Sequence, residues 1–79
     1  MNRATFYAYR TRYSDHIWVK TGDVTDELEA LNSPSVLAVV RGIEAVSLAE
    51  AEGIAQREFA AGHYTETHAA AMIRLGGAR

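Results

Sequence analysis

The chain has 79 residues, eight Lys and Arg against ten Asp and Glu for a net charge of −2, and no cysteine. That length makes one domain over residues 1–79 with a thin core, and leaves little wall for an interior catalytic cavity. The missing cysteines exclude a disulfide framework, a thiolate nucleophile and zinc–thiolate ligation.

The start, Met1-Asn2-Arg3-Ala4-Thr5, has no apolar signal core. The longest aliphatic run, Val36 to Val40, is far below the roughly 20 residues that span a bilayer. A cytoplasmic protein without membrane contact is expected by elimination. Charge is uneven along the chain. Residues 1–20 carry Arg3, Arg10, Arg12 and Lys20 against Asp15, whereas residues 21–68 set nine acids against Arg41 and Arg57. A basic hairpin and an acidic remainder are expected, an asymmetry that steers association or simply keeps the surface soluble.

The first strand is read at about residues 4–13. Alternation puts Ala4, Phe6 and Ala8 on one face and Tyr7, Tyr9 and Tyr13 on the other. Ser14-Asp15 is turn material, and a second strand at about 16–20 sets Ile17 and Val19 against His16, Trp18 and Lys20. Asp23 or Thr25 caps a short helix at about 24–31, with Val24, Leu28 and Leu31 as its apolar face, and Pro34 ends it.

Residues 35–46 fit a helical stripe of Val36, Val39, Val40, Ile43 and Val46. Their β-branched density, and a Gly42 that suits a bulge, favour a strand. Ser47-Leu48-Ala49-Glu50 is a capping box opening the main helix. Leu48, Ala51, Ile54, Ala55 and Phe59 form its stripe, and Gly62 is its C′ residue. A last strand is read at about 67–75, although Ala69-Ala70-Ala71 argues for helix, and residues 76–79 form a tail. The expected fold is α+β in the order β-β-α-β-α-β. It has a mixed or antiparallel sheet of about four strands with both helices on one face, and the tyrosines and Trp18 on the uncovered face.

No pattern of residues makes a catalytic centre. Ser14-Asp15-His16 has triad residue types, but adjacent side chains diverge and cannot form the relay. Lys20-Thr21-Gly22 lacks the S-x-x-K that accompanies such an element in penicillin-binding enzymes. His63 and His68 with Glu66 lack the third or fourth converging ligand that zinc needs. No phosphate-cradling glycine motif occurs. Neither cofactor nor metal is expected, and the chain reads as a non-enzyme.

Two surfaces carry binding potential. Tyr7, Tyr9 and Trp18 with Arg10, Arg12 and Tyr13 read as sheet packing, as a protein interface, or as a stacking platform for single-stranded nucleic acid. Asp23, Asp26, Glu27, Glu29, Glu50 and Glu52 read as solvated helix faces. If the helices lie side by side, they form one acidic ridge that competes with phosphate for a basic groove.

With its hairpin, its capped SLAEAEGIAQREFAAG helix and its closing strand, the chain resembles the small anti-CRISPR proteins of phages and mobile elements. In particular it resembles an inhibitor of the type I-C CRISPR effector, Cascade. The resemblance implies a monomeric inhibitor in the bacterial cytoplasm that binds a Cascade subunit and blocks recognition of target DNA. Its contacts would come from the acidic ridge, or from Tyr7, Tyr9 and Trp18. The alternative is a small nucleic-acid-binding or regulatory module that uses the hairpin.

Overall fold

The computed structural model describes residues 2–77. Strand β1 (Ala4–Thr11) and strand β2 (Ile17–Thr21) form the expected antiparallel hairpin, with Tyr9 across from Trp18 and Tyr7 across from Lys20. The connecting turn uses local side-chain bonding: the His16 N–H donates to Ser14 Oγ at 3.2 Å. On the other side of β1 lies strand β3 (Val36–Ala45), also antiparallel, and beyond it a two-residue strand, β4 (Thr65–Glu66). The sheet is therefore all antiparallel, in the order β2-β1-β3-β4, within an α+β fold.

Two register shifts shape β3. Arg41 and Gly42 together face Tyr7, between the pairs Ala8–Val40 and Phe6–Ile43, and Gly42 takes the left-handed φ of +66° that suits glycine at a bulge. A second shift lies between the pairs Arg10–Ala38 and Thr11–Val36. The extra residues keep Ala38, Val40, Ile43 and Ala45 on one face with Phe6 and Ala8, and Val36 and Val39 on the other.

Both faces are covered, which corrects the one-faced arrangement. Helix α2 (Leu48–Ala60) lays Ala51, Ala55 and Phe59 on the Phe6 face, with Ile17, Val19 and Ile54 around them. Each large apolar side chain buried there contributes about 1.5–3 kcal/mol. Helix α1 (Val24–Asn32) covers the opposite face through Ala30 and Leu31, against Val36, Val39, Tyr7 and Tyr9.

The ends of the helices follow local chemistry. Asp23 makes a reciprocal box with Asp26, and Ser47 Oγ accepts the Glu50 N–H at 3.2 Å. Gly62, at φ +77°, closes α2: its N–H donates to Phe59 and that of His63 to Glu58.

Three further expectations change. Residues 67–75 are not a strand; they lie within helix α3 (His68–Gly77) or cap it, and α3 touches β3 and α1. Ala69, Ala70, Ala71, Met72, Arg74 and Leu75 are strong helix formers, and Thr67 caps the helix by accepting the Ala70 N–H at 3.1 Å. The inner side of α1 is Glu27, Ala30 and Leu31, leaving Val24 60% and Leu28 47% exposed. Leu48, expected in the α2 stripe, is exposed. Among the described residues no helix is long and apolar enough to cross a membrane.

Candidate functional site

The hairpin and α1 together build the most distinctive surface. Strand alternation raises Tyr7 and Tyr9 from β1 and Trp18 from β2 on the α1 side of the sheet. Their rings form a near-parallel row. The Tyr7 and Tyr9 centroids are 6.1 Å apart at 22°, and those of Tyr9 and Trp18 are 6.5 Å apart at 18°. His16 meets Trp18 edge-on at 4.5 Å. The row runs from half-buried Tyr7 and Tyr9 beneath α1 to the exposed Trp18 on the outer strand.

Two grooves follow the row and share Tyr9 and Thr11. One, of about 350 Å³, lies between the row and α1, with Tyr7, Asp26, Glu29, Ser33 and Ser35 on its walls. The other, of about 480 Å³, lies toward the hairpin tip among Tyr13, Ser14, Trp18 and Lys20. The first carries two carboxylates and no base; the second carries a base and no acid.

Gly22 is the point of closest approach in this arrangement. A Cβ there would stand 2.6 Å from Tyr7 Cε1 and 2.8 Å from Asp26 Cβ, so only glycine lets the ring and the carboxylate close on the chain between them. Asp26 Oδ2 accepts the Asp23 N–H at 2.9 Å. The Tyr7 phenol is pushed above its usual 10.0, first by burial and then by the negative charge of Asp26, with smaller contributions from Tyr9 and Glu29.

The predicted acidic ridge divides. Asp23, Asp26 and Glu29 belong to α1 or its cap, whereas Glu50 and Glu52 belong to α2, across the sheet. Glu27 is no surface contact at all, being 4% exposed. Its carboxylate accepts Arg41 Nε–H at 3.0 Å and the Gly42 N–H at 2.8 Å, and so ties α1 to the β3 bulge. Sequence reading missed this because a glutamate on a short amphipathic helix reads as solvent-side. The available signal was Gly42, whose bulge frees an N–H from the strand ladder.

Arg10 leaves the aromatic row as well. Its guanidinium lies 4.7 Å from the Phe59 ring centre and 5.5 Å from that of Tyr64, on the α2 side. Another groove, of about 650 Å³, is also on that side, beside β3 residues 40–44. Among its lining, the Glu58–His63 pair, at 3.3 Å and largely open to solvent on the His63 side, is screened by water. Among the described residues no three His, Cys, Asp or Glu side chains gather to hold a metal.

No protein-family model matches the chain, and no curated protein or solved structure matches it.

Proposed function

We propose that the chain is a non-enzymatic inhibitor of a type I CRISPR effector, the I-C Cascade, acting in the cytoplasm of the bacterial host. It seats its α1–aromatic face on the effector and blocks recognition of target DNA. The observation that carries this reading is the joining of the Tyr7–Tyr9–Trp18 row with the carboxylates of Asp26 and Glu29 on one accessible face. Aromatic rings are favoured anchors of protein interfaces, and DNA-entry surfaces are dense in Lys and Arg. The resemblance to anti-CRISPR proteins supplies the target; this face supplies a means of holding it. With a net charge of −2, coverage by the aromatic row weighs more than imitation of a DNA strand. Glu50 and Glu52 lie outside this contact, and so does buried Glu27.

The test is co-elution with purified Cascade and measurement of target-DNA capture. Saturating protein abolishes capture. Trp18→Ala weakens effector binding by about 2 kcal/mol, and Glu29→Lys weakens it about tenfold. DNA capture that persists at saturation rejects the blocking role.

A second reading rests on the hairpin-side groove, where Tyr13, Trp18 and Lys20 meet without an acid. Such a surface suits a stacked base and its phosphate. Arg10 lies across the sheet and two carboxylates flank Tyr7, so the inhibitor reading is preferred. A low-salt gel shift that disappears in Lys20→Ala would reverse that preference.

A further inference from the structure

From the geometry we infer that the groove between α1 and the Tyr7–Tyr9 pair is a receptor for a single arginine side chain of the partner. The inference rests on the reading of this face as the partner-binding surface, and names the chemistry it accepts.

Four observations carry it. The α1-side groove, at about 350 Å³, sits at the small end of the range for ligand pockets and suits one side chain. Its wall includes two near-parallel phenol rings, and the face of such a ring attracts a cation. Its rim holds Asp26 and Glu29 with no base among the lining residues. Neither carboxylate forms an ion pair within the chain among the described residues. Glu29 is exposed and free to turn toward a ligand, while the box with Asp23 holds Asp26 in place.

The combination selects guanidinium over ammonium. A planar, weakly hydrated cation stacks on a ring while its N–H fork meets a carboxylate; an ammonium is a compact, strongly hydrated point charge. Lys20, directly across the strand from Tyr7, lies outside this groove and lines the neighbouring one, so it does not fill the site. Gly22 keeps the ring and the Asp26 carboxylate together, so the site is built by the backbone before any partner arrives.

The probe is N-acetyl-arginine amide, titrated into the full chain while the Tyr7 and Tyr9 ring signals are followed by NMR. Its neutral isostere, N-acetyl-citrulline amide, is the control. Saturable ring shifts with half-saturation on the order of 10 mM are expected for arginine, and at least about tenfold weaker binding for citrulline. Glu29→Gln, an exposed substitution that leaves the fold intact, weakens arginine binding severalfold, and Tyr9→Leu removes it. Equal shifts from citrulline, or arginine shifts centred on Glu50 and Glu52, overturn the assignment. Arginine binding at Tyr7 and Tyr9 without capture of Cascade sustains the groove and removes the inhibitor. Cascade capture without arginine binding removes the groove and leaves the inhibitor.

Discussion

Glu27 shows how far a single side chain can depart from its pattern. It stands among Asp23, Asp26 and Glu29 in the sequence, yet it alone turns inward and accepts two hydrogen bonds from β3. A carboxylate removed from water is stable only when its oxygens are satisfied, and here a guanidinium and a backbone N–H satisfy them. Glu27→Ala removes the charged acceptor of both the Arg41 Nε–H and the Gly42 N–H and should cost about 2 kcal/mol, read as a lower urea midpoint at unchanged m-value. Glu52→Gln, on an exposed helix face, should stay within about 0.5 kcal/mol.

Tyr7 gives a second test at this scale. Its folded-state pKa is raised above 10.0, so the folded protein holds the phenol proton more firmly than the unfolded chain does. Stability from this group is complete below pH 10 and falls as pH rises through the folded value, because the unfolded chain ionises first. An NMR or absorbance titration should place Tyr7 above the ordinary tyrosine range. Asp26→Asn should bring it down, by removing the largest charge contribution; an unmoved titration contradicts that cause.

At the scale of elements, the capped and glycine-closed α2 was legible because its signals are local: Ser47 at the start, Gly62 at the end, and an apolar stripe between them. The hairpin was legible for the same reason. The C-terminal segment was not. Thr67 buries itself against β3, its hydroxyl donating to the Val36 carbonyl and its N–H to Leu37, and from that anchor it caps α3. Alternation read residues 67–75 as a strand, but helix propensity prevails once a cap is fixed by a distant strand. Thr67→Val removes the cap and the donor together. Hydrogen exchange should show α3 amides losing protection while β1 and β3 keep theirs, with a global cost of about 1–2 kcal/mol. Equal loss across the sheet would show that α3 is no separable unit.

At the scale of the molecule, the sheet carries α2 on one face and α1 on the other. A trace of this lay in the sequence. Val36, Ala38, Val39 and Val40 are all buried, and an apolar run without alternation is what a strand covered on both faces looks like. The covering by α1 also gives the Tyr7–Tyr9 end of the row a second wall, and the six carboxylates are split between two sides. Under the proposed function, affinity for Cascade should therefore respond to Glu29→Lys and not to Glu50→Lys.

The sequence alone determined the hairpin, the capped central helix, the bulge glycine and the α+β class, because the signal for each lies in a short stretch of the chain. Tertiary structure alone decided which face α1 would cover, that Glu27 would be consumed inside, and that Tyr7, Tyr9, Asp26 and Glu29 would share one groove. Those outcomes hang on contacts between residues far apart in the chain, where burial and hydrogen-bond satisfaction outweigh local preference.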